Sequence, residues 1–319
     1  FAVCCVCAYR LPEKVFQKDE TIKHSGSDYG RSKSVQAAYE QMFNAHRLYE
    51  ICGLYQLAAK DFYTNVIYPL TPDYVTAQKQ AWQEIKTYFA NDPDSLGSNT
   101  MTGILADKNV VLVLMESVDD WMIGEHTPAI AGLMEEGINF TSFYTPVYGG
   151  IRTFNTEFAV NTGSFLSSQG GYAFDYVTNS YPQSLANRLR DAGYSAKTFH
   201  YNDPSFYSRG EFSPAMGYEE YVCYADFVTE TDEKARNNLL YNDLLLFDNE
   251  GLKAEFFREG QPNLNFVITR SAHLSYKYNE VLSHWGLKKY PEYRGITGNE
   301  ETDCAYLKAR LVDDFFARL

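Results

Sequence analysis

From Ser34 to about Phe62, apolar residues recur every three or four positions (Ala37, Ala38, Met42, Ala45, Leu48, Ile51, Leu54, Leu57 and Ala58), which predicts a helix or helical pair. A second helical stretch runs from about Pro72 to Phe89, and the turn-rich segment NDPDSLGSNTMTG (91–103) after it reads as a boundary. Beyond it the pattern changes. NVVLVLME (109–116) is a near-continuous run of β-branched residues and Leu, as expected of a strand buried on both faces of a parallel sheet. INFTSFYT (138–145), YSAKTFHY (194–201) and NFVITR (265–270) predict three further strands. Between them, 127–137, 153–163, 181–193 and 242–257 read as helices and 205–217 as a broken one. Pro128 opens the first of these, and Gly137 and Gly193 supply stops. Alternating strand and helix predicts an α/β fold, an open and mostly parallel sheet with helices on both faces, preceded by a helical segment. Residues 301–319 carry Ala305, Leu307, Leu311, Phe315 and Leu319 at helical spacing with no stop signal after them.

The first nine residues are apolar (Phe1 to Tyr9) and the chain then turns polar through 11–33. Nine residues are too few to span a bilayer; they read as the tail of a transmembrane helix followed by a linker. The whole chain has 319 residues, 45% hydrophobic and 22% charged, which excludes a disordered or collagenous protein. With 28 Lys+Arg against 41 Asp+Glu the net charge is −13, which argues against nucleic acid as a partner and against coating anionic membranes by bulk attraction. The six cysteines support neither a zinc cluster nor a disulfide framework.

In open α/β sheets, ligands collect beyond the carboxyl ends of the strands. There the sequence places Glu116, Ser117 and Asp119; Arg152, Thr153 and Asn155; His200, Asn202, Asp203, Tyr207 and Arg209; and Arg270, Ser271 and His273. A carboxylate ending an apolar strand, as Glu116 does, is costly unless it reaches water, pairs, or binds a cation. Thr153 follows Gly149-Gly150 and opens a helix, so it is either a plain N-cap or a hydroxyl facing an anion at the helix start. A Thr hydroxyl becomes a competent nucleophile when a divalent cation coordinates it, and a neighbouring carboxylate could hold that cation.

The segments NVVLVLMESVDDW (109–121), TPAIAGLMEEGINFTSFYTPVYGG (127–150), TFNTEFAVNTG (153–163), AKTFHYNDPSFYSR (196–209) and FVITRSAHLSY (266–276) resemble the lipoteichoic acid synthase family, phosphoglycerol transferases with an alkaline phosphatase/sulfatase-like fold. By position, the resemblance implies that Glu116 and Thr153 bind a divalent metal (Mn, with Mg or Zn as alternatives) and that Thr153 is the nucleophile. It implies that His200, Arg209 and His273 contact a glycerol-phosphate headgroup, with Tyr207 where the family has Trp. It further implies an anionic phospholipid donor, a polymer or glycolipid acceptor, and a membrane protein, anchored by N-terminal helices, with its catalytic domain outside the cytoplasm. The family's Asp-His metal pair lies on a later strand, so the expected organisation is a membrane helix end at 1–9, linker and helical segment at 10–103, and a catalytic domain at 104–319 that is incomplete at its C-terminus. Two other expectations stand beside transfer: a headgroup-binding module without turnover, and a sulfatase-like hydrolase or phosphodiesterase.

Overall fold

The computed structural model describes residues 45–91, 98–145, 152–166, 173–278 and 281–319. The apolar stub at 1–9, the polar stretch at 11–33 and the Gly149-Gly150 pair lie outside them. The chain divides into two compact units, one running to Ala106 and the other beginning at Asp107. The first holds helices α1 (Ala45–Phe62) and α2 (Pro72–Asn91). Thr71 caps α2 through its Oγ1, 3.3 Å from the Tyr74 amide, and Pro72 takes the first-turn position where a missing N–H costs nothing. Among the described residues, no helix is long and apolar enough to cross a membrane.

Among the described residues, the second unit is built on four parallel strands, β1 (Val110–Leu114), β2 (Ser195–His200), β3 (Glu220–Cys223) and β4 (Asn263–Ile268), in the order β1-β4-β2-β3. Around them, in chain order, run α3 (Pro128–Glu136), α4 (Arg152–Thr162), α5 (Leu185–Asp191), α6 (Arg209–Ala215), α7 (Glu233–Leu240), α8 (Leu245–Asp248), α9 (Glu250–Phe256), α10 (Val281–Lys289) and α11 (Glu300–Arg318). The predicted α/β architecture with its parallel sheet and preceding helices is present.

Central β4 is buried along its whole length, and the side-chain amide nitrogens of its two asparagines are bonded: Asn263 and Asn265 donate to the carbonyls of Arg258 (2.9 Å) and Phe256 (2.8 Å). In β1, by contrast, every residue is only half-buried, because it pairs with β4 on one side and forms a sheet edge among the described residues. Burial on both faces is thus correct for β4 and not for β1. Residues 138–145 form no strand. Ile138, Phe140, Phe143 and Tyr144 are 72%, 77%, 71% and 84% exposed, and β-propensity without a ladder partner does not make a strand. The place at the sheet goes instead to β3, whose four residues are too short for an alternation signal; the ion pair of Lys197 with Glu220 (2.6 Å), opposite it in the ladder, helps fix its register.

One core cluster lies where Phe199, Val222 and Val267 of the sheet meet α8, α9 and Phe315 of α11. The apolar positions Ala305, Leu307, Leu311 and Phe315 are buried as the periodicity predicts, whereas Leu319 is exposed. Helix α11 also packs against α3, where Val312 meets Ile130 and the Asp313 carboxylate accepts the Ile130 amide at 2.8 Å, satisfying a donor that the first turn of a helix leaves over.

Candidate active site

The ends of β1, β2 and β4 all point the same way, so the residues that follow them converge. Glu116 leaves β1 and is tied to β4's continuation by its amide, which donates to Thr269 Oγ1 at 3.0 Å. His200 closes β2, and Thr269, Arg270 and His273 follow β4. Helix α4 brings Thr153 in its first turn, and α6 begins with Arg209. These side chains, with Tyr201, Asn202, Phe206 and Tyr207, line one cavity of about 70 Å³. All six residues singled out in the sequence (Glu116, Thr153, His200, Tyr207, Arg209 and His273) are therefore brought together. Of the other strand-end candidates, Asn202 and Arg270 join them. Asp119 bonds the Trp121 indole instead, Asp203 closes a turn onto Ser205, and Ser271 bonds Asp243. The Arg152 side chain lies outside the described positions.

Helix periodicity explains how Thr153 is held. Thr153, Glu157 and Asn161 fall on one face of α4 at i, i+4 and i+8. The Glu157 carboxylate accepts from Arg209 Nε at 3.0 Å and Nη2 at 3.0 Å, and Asn161 Oδ1 accepts from the Tyr218 hydroxyl at 2.5 Å. Both side chains of the Glu157–Arg209 pair are 1% exposed, so the pair locks α4 to α6 in a place where neither charge can find water. Arg209 retains one nitrogen, Nη1, that is buried and has no partner among the described residues. Its guanidinium also sits 5.1 Å from the Tyr207 ring, so the aromatic at this position serves as a wall behind the cation. Tyr207 and Ser208 both adopt left-handed backbone (φ 56° and 50°), as does Ser117 beside Glu116 (φ 59°). Strain of this kind in non-glycine residues survives only where surrounding structure imposes it, and here it flanks the cavity on two sides.

Both imidazoles are neutral acceptors. His200 is buried and its Nδ1 lies 2.8 Å from the Ile268 carbonyl, which can only accept, so the ring proton sits on Nδ1 and Nε2 carries the lone pair. Burial first, then the charge of Arg209, hold its pKa well below the ordinary value. His273 repeats the arrangement: Nδ1 faces the Leu274 carbonyl at 2.6 Å, and burial followed by Arg270 lower its pKa.

Asp243, which the sequence reading passed over, anchors the loop after β4. Its two carboxylate oxygens accept the amides of Arg270 and Ser271, each at 2.8 Å. Burial pushes its pKa up to about 6, with those bonds and the Arg270 charge pulling the other way. Between the ordinary Asp value and pH 6 the folded chain holds a proton that the unfolded chain has released, so this group's contribution to stability falls as pH rises through that window, by about 3 kcal/mol. Denaturation of wild type and Asp243→Asn at pH 4 and pH 7 is expected to show the variant gaining about that much relative to wild type. A difference that stays flat with pH shows that Asp243 does not titrate there.

Glu116 and Thr153 are hard oxygen donors on one cavity, which matches part of a site for a divalent cation such as Mn or Mg. Among the described residues, no group of three His, Cys, Asp or Glu is arranged to complete such a site. Glu157 is the charged residue at the site that sequence reasoning missed, and the Thr-x-x-x-Glu spacing on a helix could have exposed it. Arg270 was among the strand-end candidates, with no role of its own.

The sulfatase family model matches residues 108–319. Lipoteichoic acid synthase 2 of Bacillus subtilis (strain 168) is 24% identical over 255 residues, covering 75% of this chain and 36% of that protein. The lipoteichoic acid synthase LtaP from Listeria monocytogenes has a similar fold, with a TM-score of 0.53 and 22% identity over 68% of this chain and 52% of that one. A protein in the alkaline phosphatase superfamily from Vibrio parahaemolyticus gives a TM-score of 0.44 at 20% identity, over 66% and 50% of the two chains. The chain thus spans about a third of the curated relative's length and about half of the Listeria chain. With the matched region running through the entire sheet and every residue of the cavity, the chain belongs to the sulfatase family.

Proposed function

We propose that the whole protein is a membrane-anchored phosphoglycerol transferase acting on the extracytoplasmic side, which moves glycerol phosphate from an anionic phospholipid to a hydroxyl of a polymer or glycolipid. The observation that carries this reading is the meeting of a threonine at a helix start with a buried guanidinium that keeps an unsatisfied N–H. Phosphoryl oxygens satisfy such a donor with a charge-assisted hydrogen bond. Nε2 of His200 and of His273, neutral and unprotonated, suit the hydroxyls of a glycerol, which must donate.

In the first step Thr153 Oγ1 loses its proton and bonds to phosphorus, the bond from phosphorus to the diacylglycerol oxygen breaks, and that oxygen takes up a proton. A glycerophosphoryl group is then esterified to Thr153. In the second step the acceptor hydroxyl gives up its proton and attacks the same phosphorus, and Thr153 leaves and is reprotonated. Arg209 stays fixed by Glu157 through both steps and meets the charge that grows on the phosphoryl oxygens. Glu116 and Thr153 would hold a divalent cation, which when bound supplies the acidity that ionises the threonine hydroxyl. A threonine nucleophile favours phosphorus chemistry over sulfate ester hydrolysis in this family.

The whole protein in vesicles of phosphatidylglycerol labelled in its headgroup, mixed with a glycolipid acceptor, is expected to transfer label to the acceptor. Chelation should stop transfer, and Mn should restore it. Label released only as free glycerol phosphate would establish a hydrolase in its place.

A further inference from the structure

We propose that Arg270 is a second oxyanion-binding cation of the cavity, so that the site is matched to a phosphoryl group bearing two negative charges. This deepens the transferase reading and rests on it. Arg270 lines the cavity together with Arg209. Its guanidinium carbon lies 5.0 Å from the Tyr201 ring and 4.8 Å from the Tyr241 ring, and these two rings meet edge-to-face at 5.3 Å. The aromatic contacts fix the group in place without using any of its N–H bonds. Two of those nitrogens, Nε and Nη1, are buried and find no acceptor among the described residues.

A salt bridge does not explain them. Asp243, the carboxylate closest in the loop's bonding, spends both oxygens on the backbone amides of Arg270 and Ser271. Glu157 is committed to Arg209. Both imidazoles are held neutral with Arg270 among the causes, so they do not compete for an anion as cations. Buried guanidinium donors without partners carry a desolvation cost that a ligand oxygen relieves. A cavity of about 70 Å³ has room for one tetrahedral group, so both arginines address the same phosphorus.

The consequence concerns charge. A phosphodiester brings one negative charge, and a second accumulates on its phosphoryl oxygens as an ionised threonine oxygen bonds to phosphorus. One guanidinium matches the bound diester, and two match the state of higher charge. Glycerol phosphate, a dianion near neutral pH, mimics that charge; its methyl ester, a monoanion of nearly the same shape, does not.

Calorimetric titration of the protein with glycerol phosphate and with methyl glycerol phosphate tests this. Wild type is expected to bind the dianion at least about tenfold more tightly. Arg270→Gln is expected to weaken the dianion by about tenfold or more and the diester by less than about threefold. Equal affinities of Arg270→Gln and wild type for both probes would overturn the role of Arg270 and leave the phosphoryl site standing. Failure of wild type to bind either probe would overturn the phosphoryl site itself. Should Arg270→Gln not fold, Arg270→Lys decides the matter, since it keeps the charge but cannot present two N–H groups in one plane. A loss of at least about fivefold for the dianion supports the proposal, and unchanged affinity overturns it.

Discussion

Thr153→Ala in the whole protein is expected to abolish the covalent glycerophosphoryl adduct and to lower transfer by about 10⁴-fold or more, the scale on which removing a nucleophile acts. Thr153→Ser, which keeps an oxygen at the same position, is expected to retain the adduct at reduced rate. Intact-protein mass spectrometry after mixing with phosphatidylglycerol reads both. Because Thr153 is half-buried at a helix start and Glu157 rather than Thr153 ties that helix to α6, the alanine variant should fold with a melting temperature close to wild type. An adduct that survives in Thr153→Ala removes the residue from the chemistry and leaves the cavity as a binding site.

Glu157→Gln is expected to be the most destabilising single change at the site. It leaves the Arg209 guanidinium, 1% exposed, without a counter-charge, and breaking one side of a buried pair costs about 3–5 kcal/mol. Replacing both members by apolar residues of similar volume, as in Glu157→Leu with Arg209→Met, should recover most of that loss while eliminating binding of the phosphate ester. Urea denaturation of the two variants separates these effects. A loss below about 1 kcal/mol in Glu157→Gln would show that packing of α4 and α6, through Phe154, Phe158 and Phe212, holds the site without the ion pair.

The run 265–270 betrays a buried strand because a central parallel strand needs apolar side chains toward both faces, and β4 has just that environment. The run 138–145 has equal β-propensity and fails, since a strand exists only where another backbone offers its ladder. Strand β3 is the converse: four residues with little signal of their own, recruited by pairing with β2. The catalytic candidates were legible because strand ends and helix starts are positions in the chain as well as positions in space. Glu157 and Asp243 were not, because what marks them is a partner 52 and 27 residues away.

By itself the sequence determined the alternation of strand and helix, the polar residues set at the strand ends, and the six side chains that meet in one cavity. Hydrophobic period and local turn chemistry are written along the chain, so they need no fold to be read. Only the tertiary structure decided which strand lies at the centre, which arginine is paired with a carboxylate and which is held by aromatic rings, and that both imidazoles line the cavity as neutral acceptors. Burial and the counter-charge at each nitrogen are properties of the packed surroundings, and residues distant in sequence supply them.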